Sequence, residues 1–137
     1  MIVVDSSIVV AIIREETDAA VWLDLLDQSS MSLMSVVSFV ETNMVIAGRR
    51  AEADPRQTDD LLKALGIRVV PVTTTQGVLA VSAFMRYGKG RDSARLNLAD
   101  CFSYALSKSR NAPLLFKGAD FRKTDIAPAW RPESETK

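Results

Sequence analysis

No histidine occurs in the 137 residues, and Cys101 is the only cysteine. The first absence removes imidazole as general base, as partner of a nucleophile and as zinc ligand, so Ser-His-Asp, Cys-His and His-ligated zinc chemistries are excluded within one chain. The second excludes an internal disulfide and a cysteine-rich zinc site. Long hydrophobic runs are also lacking. Ile8 to Ile13 is far too short to span a bilayer, and the uncharged stretch from Val69 to Met85 is broken by Pro71, three threonines, Gln76 and Gly77. The opening Met-Ile-Val-Val-Asp has no basic leader, so a cytosolic chain without membrane association is expected. Gly88 and Gly90 do not make a phosphate loop, because the glycine spacing and the following Lys-Ser or Lys-Thr are missing.

What is present is the composition of a globular protein, 47% hydrophobic and 25% charged, in a length that suits one compact domain. That domain is expected over residues 1–130, with the polar residues 131–137 as a frayed, disordered tail. Formal charge is zero, with 17 residues of each sign, yet the signs are segregated. Residues 15–27 carry five acids and no base, whereas Arg86, Lys89, Arg91, Arg95, Lys108, Arg110, Lys117, Arg122 and Lys123 gather late. A basic surface on a neutral protein favours an anionic partner.

Hydrophobic patterning predicts short strands separated by helices. Met1 to Val4 reads as a strand feeding a buried helix over Ile8 to Ile13, and Thr17 and Asp18 offer caps for a helix with Val21, Trp22, Leu25 and Leu26. Met31 to Met34 reads as a strand, followed from Ser35 or Ser38 by a helix to about Arg50. Asp54-Pro55 opens a helix that stops at Gly66, and Ile67 to Val72 is strand-like. Thr73 to Thr75 cap a helix ended by the Tyr87-Gly88-Lys89-Gly90 loop, Asn97 caps a helix to about Ser109, and Leu114 to Phe116 closes the series. This alternation predicts an α/β fold with a mostly parallel sheet between helical layers, whose ligands gather beyond the carboxyl ends of the strands.

Four acids stand out: Asp5, Glu41, Asp100 and Asp120. Each has a purely structural explanation. Asp5 suits a helix cap, Glu41 a capping box with Ser38, Asp100 a first turn after Asn97, and Asp120 an ordinary turn. Their contexts argue for more. Glu41 interrupts Val36-Val37-Ser38-Phe39-Val40 and Met44-Val45-Ile46, and Asp100 sits among Leu96, Leu98, Ala99, Cys101 and Phe102. Carboxylates on apolar faces cost several kcal/mol to desolvate unless paired or metal-bound. If the four meet, repulsion raises their pKa values, and a hard divalent cation held by oxygen ligands is the natural remedy.

The segments Ile2-Val3-Val4-Asp5-Ser6-Ser7, Glu41 in its helix, Leu98-Ala99-Asp100-Cys101-Phe102 and Leu114 to Phe121 together resemble the PIN-domain ribonucleases, and more narrowly the VapC toxins of VapBC toxin–antitoxin modules. The resemblance runs from Met1 to about Trp130. It implies a three-layer α/β/α sandwich and a Mg²⁺- or Mn²⁺-dependent endoribonuclease acting on RNA, with structured RNAs such as tRNA in its range. It also implies a cognate antitoxin and a homodimer. In such a site Asp5 and Asp100 are the principal metal ligands, with Glu41 and Asp120 completing the shell or orienting water. Ser7 matches a small polar position that holds a metal-bound water, and Thr124 and Asp125 look like accessory positions. Arg91, Arg95 and Lys117 are candidate phosphate contacts. Trp22, Phe39, Phe84, Phe102 and Tyr104 fall at helical spacing and read as core or dimer contacts. Two other classes remain open: a non-catalytic partner-binding module on the same fold, and a phospho-acceptor signalling domain, although Asp5-Ser6-Ser7 lacks the paired acid that the latter needs.

Overall fold

Neighbouring residues of each strand bury themselves on opposite faces of one sheet, as the period-two geometry of a strand requires. The computed structural model describes residues 1–49 and 52–132. Its strands are β1 (Ile2–Val4), β2 (Ser32–Ser35), β3 (Ile67–Val70) and β4 (Leu114–Leu115), all parallel and in the order β3-β2-β1-β4. Val3, Leu33, Val70 and Leu114 point into one core, and Val4, Met34, Ile67 and Leu115 into another. The helices are α1 (Ser6–Ile13), α2 (Ala19–Gln28), α3 (Val36–Ala47), α4 (Pro55–Ala64), α5 (Thr74–Tyr87) and α6 (Leu98–Arg110). α5 and α6 close the first core through Ala80, Ala83, Tyr104 and Leu106; α1, α2 and α4 close the second through Ile8, Trp22, Leu26 and Leu62. The result is the three-layer α/β/α sandwich that the alternation implied. Among the described residues no helix is long and apolar enough to cross a membrane.

Local signals set most helix ends. The side chains of Asp5, Asp54, Thr73 and Asn97 each accept a backbone N–H of the first turn, and Pro55 occupies the start of α4. Asn111 takes the left-handed conformation, φ 49°, that stops α6. Gly88 ends α5 where a Cβ would lie 2.4 Å from the Phe84 ring. Four expectations need correction. α3 is capped by Ser35, whose Oγ accepts the Val37 N–H, so Ser38 lies inside the helix and forms no capping box with Glu41. Asp18 precedes α2 without capping it, its carboxylate being engaged by Lys117 instead. β3 ends at Val70, before Pro71, which has no N–H to offer a ladder. α3 ends at Ala47, with Gly48 as its cap, short of the expected run to about Arg50, while Arg50 itself and the tail from residue 133 lie outside the described residues.

β4 is only two residues long. The Lys117 N–H turns away from the sheet to donate to Ser7 Oγ at 3.0 Å, and Gly118, at φ 105°, starts the turn toward Asp120. The strand's outer edge is covered by the 127–129 segment, through Leu114 N to Ala127 O at 2.9 Å and Ala129 N to Leu114 O at 2.8 Å. This topology positions the site. From β1 the chain moves one way along the sheet to β2 and β3, then returns to the other side of β1 as β4. The reversal between β1 and β4 is where open α/β sheets leave a crevice beyond their carboxyl ends. Asp5 stands there, its N–H donating to Leu115 O at 3.0 Å.

Candidate active site

Asp5 is the innermost acid, with 3% of its surface exposed. It ends β1 and caps α1. Its Oδ2 accepts the Ser7 N–H at 3.1 Å, and its Oδ1 accepts the Ser103 hydroxyl at 2.8 Å. Both donors are neutral, so neither oxygen is neutralised by a cation of the chain in these contacts.

Glu41 and Asp100 come from α3 and α6 to within reach of the charge of Asp5. Glu41 Oε1 accepts the hydroxyl of Ser6 from the first turn of α1. Burial raises its pKa; the Ser6 hydrogen bond opposes that, the charge of Asp5 adds to it, and a hydrogen bond from Asn97 opposes it again. Asp100 completes a capping box with Asn97: its Oδ2 accepts the Asn97 N–H at 3.0 Å while its own N–H donates to Asn97 Oδ1 at 2.9 Å. The structural explanation of Asp100 is therefore correct, and incomplete. Its carboxyl is pushed up to about 7, first by burial, then by the charge of Asp5, with Glu41 and Asp120 contributing further. The other three sequence-selected acids thus bear on the Asp100 carboxyl, although the four lie at the end of β1, on α3, on α6 and in the segment after β4.

Asp120 is the outlying member. It is exposed, in a turn five residues beyond β4, and precedes the 3₁₀ turn Phe121–Lys123 without capping it. Ser7 lies at the mouth of β1, where its hydroxyl accepts the Lys117 N–H. Among the described residues no three acidic side chains form a ready-made cage for an ion; Glu41 and Asp100 are each turned toward internal donors. The donor set nonetheless suits a hard divalent cation, being oxygen only, clustered by charge, and raised in pKa at two members.

The accessory candidates fare differently. Thr124 is a turn residue whose hydroxyl donates to Phe121 O and accepts from Ile126 N. Asp125 is engaged by a separate set of partners, accepting the Tyr104 hydroxyl at 2.6 Å and Lys108 Nζ at 3.1 Å, with Arg86 at 3.7 Å. Burial would raise its pKa, but these partners outweigh that and hold it low. Lys117 Nζ sits 3.2 Å from Glu16 and 3.0 Å from Asp18, an anchor between the β4 exit and the α1–α2 loop rather than a free cation. The phospho-acceptor alternative needs a lysine at this position turned to the first aspartate, and this one is turned to other acids. Arg91 and Arg95 are both exposed on the α5–α6 loop; Arg91 Nε donates to Met85 O. Trp22 packs edge-on to Trp130 with ring centroids 5.0 Å apart, and Tyr104 is buried, whereas Phe84 remains 42% exposed.

Sequence reasoning missed the hydroxyls. Ser6 donates to Glu41, and Ser103 touches both Asp5 and Ser38, and only spacing hinted at it, Ser103 lying one helical turn after Asp100 and Ser38 one turn before Glu41.

Residues 2–127 match the PIN domain family. A ribonuclease VapC of Mycolicibacterium smegmatis is 43% identical over 125 residues, covering 91% of this chain and 97% of the relative. Among solved structures, VapC20 of Mycobacterium tuberculosis, described as a Sarcin-Ricin loop cleaving toxin, superposes with a TM-score of 0.74 at 16% identity, covering 93% of this chain and 97% of that one. A toxin–antitoxin complex from Klebsiella pneumoniae gives a TM-score of 0.67 at 16% identity, over 91% of this chain and 93% of that chain. With the strand order reversing between β1 and β4, acids converging on Asp100 and a match over nearly the whole length, this chain belongs to the PIN-domain family, in its VapC branch.

Proposed function

We propose that this protein is an endoribonuclease toxin that hydrolyses RNA phosphodiester bonds with Mg²⁺ or Mn²⁺, works as a homodimer, and is neutralised by a cognate antitoxin. The observation that carries this reading is the convergence on Asp100, a carboxyl lifted to about 7 by burial and by Asp5, Glu41 and Asp120. A stable fold gains nothing from four mutually repelling acids; a cation site needs them. Asp5 and Asp100 would be the principal ligands, with Glu41 and Asp120 completing the shell or orienting water. Bound there, a divalent cation supplies a Lewis acid for a phosphoryl oxygen and lowers the pKa of a water for in-line attack. The chain's own residues do the rest. Ser6 and Asn97 hold Glu41 in place, Asn97 presents Asp100 from the α6 N-terminus, and Ser7 ties the β4 exit to the mouth of the site. Arg91 and Arg95, exposed on the α5–α6 loop, are available to RNA phosphates, each screened by salt. Structured RNA such as tRNA is the substrate class this reading favours, the names of the relatives supporting ribonuclease action and antitoxin pairing.

The test is cleavage of total RNA by antitoxin-free protein, with and without EDTA, comparing wild type with Asp5→Asn and Asp100→Asn. Loss of at least about 100-fold in both variants is expected, because each removes a charge from the ligand set. Wild-type, metal-dependent activity in both variants would place the site elsewhere. A chain that neither cleaves RNA nor binds Mn²⁺ would be the partner-binding module instead.

A further inference from the structure

The buried hydroxyls behind Asp5 form a directed chain. Ser38 and Ser103 are fully buried, and their Oγ atoms lie 2.9 Å apart; Ser103 Oγ is also 2.8 Å from Asp5 Oδ1. A carboxylate only accepts, and a serine has one proton to give. Ser103 therefore donates to Asp5, which leaves its oxygen to accept from Ser38. Both O–H dipoles then point their positive ends at the carboxylate, and each bond polarises the next. The chain also joins three elements, since Ser38 is on α3, Ser103 on α6 and Asp5 at the end of β1. The two serines sit one helical turn from Glu41 and Asp100 respectively, so the link that grips Asp5 also sets the height and rotation of the two helices bearing the other acids. Nothing in core packing asks for hydroxyls here. Alanine at either position would keep the helix and shed a buried polar group.

We infer that Ser103, backed by Ser38, is a positioning residue of the carboxylate site: it fixes Asp5 Oδ1 and aligns α3 with α6 so that Asp5, Glu41 and Asp100 can share one divalent cation. This inference rests on the metal-site reading above. Outer hydrogen-bond partners of ligating groups of this kind are worth about 10- to 100-fold in metal affinity.

The experiment is Mn²⁺ titration of the full chain at pH 7.5, following the electron paramagnetic resonance signal of free Mn²⁺, with thermal melting of every variant. Ser103→Ala should weaken Mn²⁺ binding about tenfold. Ser38→Ala should weaken it about threefold, and adding it to Ser103→Ala should change little more, because the two act in series. Ser103→Thr, which keeps the hydroxyl, should restore most of the affinity. Wild-type Mn²⁺ affinity in Ser103→Ala, with or without a lower melting temperature, would overturn the positioning role, leaving a merely structural hydrogen bond. Fully additive effects of the two alanines would overturn the relay. Failure of the wild type itself to bind Mn²⁺ would overturn the metal-site reading, and this inference with it, a result distinguishable from the other two.

Discussion

Asp100 closes the capping box of α6 and also stands among three other acids, and substitution separates these roles. In Asp100→Asn the amide oxygen still accepts the Asn97 N–H, while the charge is gone. A carboxyl near 7 in the folded chain and near 3.8 unfolded holds its proton more tightly when folded. Its contribution to stability is fully present below about pH 4 and is lost as pH rises through about 7. The metal-free protein should therefore melt a few degrees higher at pH 5 than at pH 8, a difference on the order of 1–2 kcal/mol after allowance for partial exposure. With no histidine in the chain, the other carboxyl shifted towards that interval is Glu41, whose pKa burial also raises, so the slope belongs to the acid cluster and substitution separates its members. Asp100→Asn should flatten it, and Mg²⁺ or Mn²⁺ should raise the melting temperature more at pH 8 than at pH 5. Calorimetry in EDTA and with added metal checks all three; an unchanged slope in Asp100→Asn would assign the titration to another group.

At the scale of elements, the first turn of α6 is where stability and site geometry meet. Asn97→Ala removes the cap, and a loss of about 1 kcal/mol in urea unfolding is expected. It also frees Glu41 from one of its two hydrogen bonds, so metal affinity should fall with stability, which an exposed cap elsewhere, such as Asp54→Ala, would not cause. The same helix shows how far a sequence can be read. Asn97 followed three residues on by Asp100 is local, and both the cap and the acid are legible. The start of α3 is not: Ser35 and Ser38 are equally good caps, and the choice falls to the pairing of Ser35 with Val70, which keeps Ser35 in β2. Asp5, Glu41 and Asp100 are legible because a charge interrupts or ends an apolar run. Ser103 is not, because a serine in a helix is commonplace until its partner, 98 residues earlier, is known. Lys117 misleads for the same reason, its acids lying 101 and 99 residues away.

Across the whole molecule, apolar surface gathers on one side. Val78, Val81 and Met85 on α5, Met44 on α3 and Leu98 at the start of α6 are each more than half exposed. Leu98 stands between two grooves, one of about 370 Å³ lined by Ala80, Val81, Phe84 and Phe102, the other of about 480 Å³ lined by Val40, Glu41 and Met44. Contiguous apolar surface of this kind calls for cover. If the proposed homodimer uses it, Val81→Glu and Leu98→Glu should each shift the sedimenting species from dimer to monomer at micromolar concentration; a dimer unaffected by either would place the interface elsewhere. Cys101 lines the first groove yet is only 2% exposed, and burial followed by the charge of Asp100 pushes its thiol up to about 11. An alkylating reagent at neutral pH can reach it as a thiolate only when α6 lifts from its neighbours. The unmodified chain thus carries its own clock: with a single sulfhydryl, the rate of alkylation mapped to Cys101 under iodoacetamide times the opening of the helix that bears Asp100.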